Sequence, residues 1–126
     1  MNTEFLSFEF EWYLRDYFFR VNNKNDEDFK DKFDNNEICR YMKENYLKYK
    51  NWNVEQITKL FNIVIHDLHN RNVLVFKNDV GAVIIESRFV RKQCSNCYYI
   101  NYLSLAESSN CHRCKSDNLK DFPSRK

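Results

Sequence analysis

A chain of 126 residues with one Gly and one Pro is too poor in turn formers to be a loop-rich sandwich or a linker; its 43% hydrophobic content supports one modest core, or a core with a small satellite. The net charge of +2 excludes nothing alone, but ten acids and five bases lie up to Glu37, against eight acids and fifteen bases from Ile38 on. From Arg88 the tally is eight bases to three acids, so a polyanion would meet the C-terminal third first, although a merely solvated basic surface gives the same count.

Residues 3–21 are dense in Phe, Tyr and Trp. Phe5, Phe8, Trp12 and Phe19 follow helical spacing, and Leu6, Phe10, Tyr13 and Tyr17 form a second stripe. A helix apolar on nearly all sides is either buried or covered by a partner. Since one core covers only one stripe, the other is expected to face a partner chain, with Phe8, Phe10, Trp12, Tyr17 and Phe19 as the docking candidates. Residues 22–36 read as an acidic loop, with at most a turn of helix holding Phe29 and Phe33. Residues 37–49 read as a helix capped by Asn35 or Asn36, with Ile38, Met42, Asn45 and Tyr49 on one face. A further helix starts at Asn53, with Gln56 completing a capping box and Val54, Ile57, Phe61, Val64 and Leu68 in one stripe; Asn70 or Asn72 ends it in the left-handed conformation. "NVLVFK" predicts a strand, "NDVG" a turn, and "AVIIESRFV" the returning strand.

Helix, helix, helix, hairpin is the element order of a winged helix, and residues 3–90 resemble that family, whose three-helix core carries a β-hairpin wing. The resemblance implies an α+β fold. "IHDLHNRNVLVF" resembles a protein-kinase catalytic loop in the spacing of Asp67, Asn72 and the apolar residues that follow, but Ile65 stands where that family has His, and no Gly-rich loop or Asp-Phe-Gly accompanies it. The segment reads as a helix end running into a strand, with His66 and His69 on the helix surface.

The strongest signal is "CSNCYYINYLSLAESSNCHRC", which holds two Cys-x-x-Cys pairs, Cys94/Cys97 and Cys111/Cys114. Each pair offers two thiolates from one tight knuckle, and a hairpin between the knuckles fits the intervening length. No apolar run is long enough to cross a bilayer, and the acidic, aromatic start is not a secretory leader, so the expected location is intracellular, cytoplasmic or nuclear, where thiols stay reduced and bind metal. The four cysteines are expected to hold one structural Zn²⁺; an iron–sulfur cluster is the alternative. His112, between two ligands, is a lesser candidate ligand, and Cys39 reads as a small buried residue. Residues 91–122 resemble the zinc-ribbon family, although Tyr98 and Lys115 stand where the knuckles of that family often carry Gly. Roughly thirty residues cannot bury enough apolar area to fold unaided, and metal binding replaces the missing core.

The expected organisation is therefore a winged-helix-like body over residues 1–90 and a zinc ribbon over residues 91–126. Its layout resembles the large subunit of transcription factor E. That likeness implies a non-enzymatic accessory role in replication or transcription, contacting nucleic acid (DNA ahead of RNA), a polymerase-like protein, or both, with no membrane and no small-molecule substrate. Arg88, Arg91, Lys92, Arg113 and Lys115 are the phosphate-binding candidates, and Tyr98, Tyr99 and Tyr102 are candidates for stacking on bases or for packing within the ribbon. The helix from Asn53 exposes Glu55, Lys59 and Asp67 and is nearly neutral, which disfavours major-groove reading. A protein–protein adaptor or inhibitor of viral or mobile-element origin, docking through the aromatic N-terminal helix, is the alternative.

Overall fold

The computed structural model describes residues 3–22, 31–79, 82–85 and 88–121. In chain order these form α1 (Thr3–Asn22), β1 (Lys32–Asp34), α2 (Asn35–Asn45), a 3₁₀ turn (Leu47–Tyr49), α3 (Val54–Asn70), β2 (Phe76–Asp79), β3 (Ala82–Ile85), β4 (Phe89–Cys94), β5 (Ile100–Ser104) and β6 (Leu119–Asp121). The fold is mixed α+β, with two small antiparallel sheets ordered β1-β3-β2 and β5-β4-β6. No helix among the described residues is long and apolar enough to cross a membrane.

Local chemistry explains the helix ends. Asp34 caps α2 and forms a capping box with Glu37, a box one residue earlier than the Asn caps expected from sequence. Asn53 and Gln56 form the predicted box on α3. Asn72 adopts φ 62° just beyond α3, and the Val73 N–H reaches back to the Leu68 carbonyl at 2.9 Å, closing the helix in a Schellman arrangement.

Three strand expectations are corrected. The segment expected as a loop supplies β1: Phe33 is buried and pairs with Val83 at the sheet edge, so it lies in a strand, not a turn of helix. Phe29 and the rest of 23–30 lie outside the described residues, as do Val80 and Gly81 of the turn expected over 78–81; Asn78 and Asp79 belong instead to β2, which begins at Phe76 and not at Asn72. The single returning strand is two strands: β3 pairs within the first sheet, whereas β4 leaves it to pair with β5 and β6. The boundary expected at 90/91 falls inside β4.

One hydrophobic cluster runs through the whole assembly. Phe10, Leu14, Tyr17, Phe18 and Phe19 of α1 meet Ile38 and Met42 of α2, Phe61 and Leu68 of α3, Phe33 and Val83 of the first sheet, and Phe89 and Tyr102 of the second. Each such large side chain contributes about 1.5–3 kcal/mol of burial. This is why α1 is apolar on almost every side: α3 and both strands of the β4–β5 hairpin pack on it. Edge-on ring contacts join Trp12 to Tyr102 at 5.2 Å, and Phe18 lies 5.6 Å from Phe89.

At the centre of this apolar contact is a charge. Arg15 is only 2% exposed. Its Nη1 donates to the Tyr102 carbonyl and to Glu107 Oε2, both at 2.7 Å; Nη2 donates to Glu107 Oε1 at 3.3 Å, and Nε to Glu11 at 3.0 Å. Glu107 also accepts from the Ser104 N–H at 2.7 Å and faces His112 Nε2 at 3.4 Å. Glu11 is shared with Arg71 of α3, which pairs with Asp67 at 2.9 Å. Burial pushes the Glu107 carboxyl up, but hydrogen bonds from His112 and Arg15, the Arg15 charge and the Ser104 N–H outweigh it and hold the carboxyl down to about 2.

Because the folded value lies below the ordinary one of 4.5, Glu107 contributes stability above that pH, and the contribution is lost as pH falls toward about 2. Arg15→Ala is therefore expected to lower stability by about 3–5 kcal/mol at neutral pH and to flatten the loss of stability over the acid range, read by urea unfolding as a function of pH. An Arg15→Met/Glu107→Gln double variant should cost less than the two single losses added together, since the two side chains act as one pair.

Candidate metal centre

Both knuckles are built by the same backbone device. In the first, the Tyr98 N–H donates to the Cys94 carbonyl at 2.9 Å and the Cys94 N–H to the Tyr99 carbonyl at 3.0 Å. In the second, the Lys115 N–H donates to the Cys111 carbonyl at 2.9 Å and the Cys111 N–H to the Ser116 carbonyl at 2.8 Å. The closing residue of each is left-handed, Tyr98 at φ 65° and Lys115 at φ 68°. These are the two positions where Gly would carry no steric cost. The hairpin lies elsewhere than expected from sequence: β4 and β5 flank the first knuckle, and β6 follows the second, joined by the Ser95 N–H to the Asn118 carbonyl at 2.9 Å.

The four Sγ atoms lie within 4.8 Å of one another, with Cys94–Cys114 and Cys97–Cys111 each at 3.5 Å. A tetrahedron with metal–sulfur bonds of about 2.3 Å has sulfur–sulfur edges of roughly 3.8 Å, so the cluster has the size of a four-thiolate metal site. N–H donors reach three of the sulfurs, whereas at Cys97 the bond from the Tyr99 N–H is outweighed by burial and by the other three thiols, which push it up to about 12. Cys94 Sγ accepts from the Asn96 and Cys97 N–H groups at 3.3 and 3.4 Å, and Asn96 Nδ2 approaches Cys114 Sγ at 3.6 Å. Burial pushes the Cys111 thiol up, but the Cys114 N–H, the Asn101 side chain and the Arg113 N–H outweigh it and bring it down to about 6. Backbone bonding near Ser116 and the Asn96 side chain lower Cys114 as well. These four cysteines can hold one metal ion. The His112 ring is directed at Glu107, and the His112 backbone N–H donates to Oδ1 of the fully buried Asn101 at 2.9 Å.

The other candidates separate by burial. Tyr98 is 70% exposed on the first knuckle, and Arg113 and Lys115 are exposed on the second. Arg88 is half-buried, Lys92 lies 3.8 Å from Asp121, and the Arg91 guanidinium covers the Phe19 ring at 4.9 Å, inside the α1 contact. Tyr99 is half-buried at the edge of a cleft. Tyr102 is not available for stacking on bases: it is core, wedged between Trp12 and Phe19. The docking stripes on α1 are corrected in the same way. Phe10, Tyr17 and Phe19 are buried because α1 is enclosed by α3 and the β4–β5 hairpin together. Trp12 is half-buried, its Nε1–H donating to the Ile100 carbonyl at 3.4 Å, and Phe8, 65% exposed, is the one large apolar side chain of the stripes left on the surface among the described residues. The side chains of Phe5 and Leu6 lie outside the described residues.

Sequence reasoning missed Arg15, Glu107 and Asn101, which tie the second knuckle to α1. The available signal was Arg15 itself, a cation in the middle of a helix with no polar face. No family model, curated protein or solved structure matches the chain.

Tyr98→Gly and Lys115→Gly are each expected to raise the stability of the metal-bound protein by about 1 kcal/mol, by removing a left-handed side-chain residue. The shift should appear in the chelator concentration that unfolds the knuckles. Replacing Cys97 or Cys111 by Ser should release the metal, and acidification should do the same in the parent, because protons compete for the thiolates.

Proposed function

We propose that the protein is a non-enzymatic zinc-binding accessory factor that contacts nucleic acid through its two metal knuckles. The observation that carries this reading is the surface they make: Tyr98 projects from the corner of one knuckle, and Arg113 and Lys115 are exposed on the other. An exposed aromatic ring and exposed cations, carried on two knuckles that share one thiol cluster, suit a phosphate backbone with accessible bases. Four thiolates favour zinc as a structural ion and leave no open position for water or substrate, which argues against catalysis at this centre.

The architecture is read as a zinc ribbon following a winged-helix-like body. Support for the body comes from its order of helix, strand, helix, helix, strand, strand, with the two hairpin strands carrying β1 at the edge. Support for the ribbon comes from two matching knuckles on a three-stranded sheet. A role in replication or transcription, with a polymerase-type partner, follows from the likeness of this layout to transcription factor E. The adaptor alternative loses most of its expected surface, since Phe10, Tyr17 and Phe19 are core.

Purified protein is expected to carry one zinc per chain by elemental analysis; iron with visible absorbance would replace the zinc assignment. Affinity for nucleic acid should fall steeply with salt, and Arg113→Glu should lower the log–log slope by about 0.7–0.9 for each phosphate that the arginine neutralises. A chain carrying Arg113→Glu and Tyr98→Ala that binds as the parent does, with the same slope, would overturn the assignment of this surface.

A further inference from the structure

A cleft of about 580 Å³ opens where α1, α3 and the second knuckle meet. Its volume lies in the range of small-ligand pockets, roughly 300–1,000 Å³. Phe8 and Trp12 of α1, Ile63 of α3 and Tyr99 form its apolar walls, and Arg71 and Lys115 stand at its polar side. Phe8 and Ile63 are exposed within it, at 65% and 42%. Trp12 packs against the core, whereas Phe8 lies outside it and stays exposed.

The cleft carries both signs of charge: Glu11 is held by Arg15 and Arg71, and Asp67, 57% exposed, bonds Arg71 through Oδ2. Two cations keep donors to spare. Among the described residues, the Lys115 ammonium meets only the His112 carbonyl, at 3.3 Å, and the Arg71 guanidinium has Nη1 unused beside its bonds to Glu11 and Asp67. A phosphate needs donors alone, which these two cations supply. Lys115 both lines the cleft and is exposed on the second knuckle, which also carries Arg113.

We infer that this cleft receives one unpaired base of a single-stranded nucleic acid, held against Phe8, Trp12 and Tyr99 with its phosphate on Lys115 and Arg71. This rests on the nucleic-acid reading above and makes it specific. The strand lies across the knuckles and turns one base inward between ribbon and helices. A blunt duplex cannot enter, because its bases are paired and stacked.

The test uses the zinc-loaded full chain and a ten-nucleotide oligo-dT, with a blunt duplex of equal length beside it. The protein has two Trp residues, so Trp52→Phe leaves Trp12 as the only indole reporter. Oligo-dT should quench Trp12 emission along the same isotherm as binding. Phe8→Ala, at an exposed position, should weaken oligo-dT binding about tenfold and leave the weaker duplex binding unchanged. Lys115→Gly should also weaken oligo-dT binding about tenfold although it relieves a left-handed residue, so the loss cannot be laid to unfolding. If oligo-dT binds but Phe8→Ala and Lys115→Gly match the parent and Trp12 is silent, the cleft inference is overturned while surface binding stands. If neither nucleic acid binds the loaded protein, both readings fall. Quenching of Trp12 by an acidic aromatic peptide and not by oligo-dT overturns the inference in favour of a protein partner.

Discussion

The buried Arg15 guanidinium constrains the rest of the molecule. It is a charge enclosed by aromatic rings, and burying it without partners would cost several kcal/mol. Its partners come from three places: Glu11 one turn back on α1, the Tyr102 carbonyl on β5, and Glu107 in the turn beyond β5. Those groups can converge only if α1 lies against the β4–β5 hairpin in one register. A displacement along the helix would strand the charge, whereas the surrounding Phe and Tyr contacts would tolerate sliding. Hydrophobic burial supplies most of the adhesion here, and the ion network selects the arrangement.

The same network reaches the metal knuckle by two short steps. Glu107 meets the His112 ring, and the His112 backbone N–H is held by the buried Asn101. His112 lies between Cys111 and Cys114, so the loop that gathers the thiolates is braced from behind by the group that anchors α1. A free-standing metal knuckle depends on its ion alone. Here Phe89 and Tyr102, at the root of the knuckle hairpin, also belong to the main core. Metal and core therefore support one another, and the tension is stored in two left-handed corners occupied by Tyr98 and Lys115. Retaining a ring and an ammonium at corners that favour Gly is economical only if those side chains are used, which is how strained residues bear on function.

What can be read from the residues follows the range of the interactions involved. The four thiol ligands, the Asn53–Gln56 capping box and the left-handed Asn72 are set by neighbours within a few positions, and all are legible in the sequence. The acidic stretch hides β1, because a three-residue edge strand with one buried Phe33 carries too little periodicity. The run from Ala82 to Val90 looks like one strand because both of its halves are apolar; only the competition between two sheets divides it. The two stripes on α1 are visible as apolar, but the number of surfaces packed against the helix is a tertiary property. Tyr102 and Arg91 look like ligand-binding residues by type, and the structure turns both inward onto Phe19.

The shape of the cleft bears on which polynucleotide the protein could hold. A helix that reads the major groove must stand clear of its neighbours and bring donors to base edges. The outer face of α3 does neither: Ile63, Asp67 and Arg71 turn toward the knuckle and help to close the cleft, while Val54 and Glu55 lead a nearly neutral N-terminal turn. The exposed donors of the C-terminal region lie instead on knuckle corners and at the mouth of a recess. Convex duplex surfaces fit poorly into a recess flanked by projecting loops, whereas a single strand can bend across the corners and turn a base inward. By holding the β4–β5 hairpin and the turn beyond it against α1, the Arg15 network fixes one wall of the cleft in which the proposed base would sit.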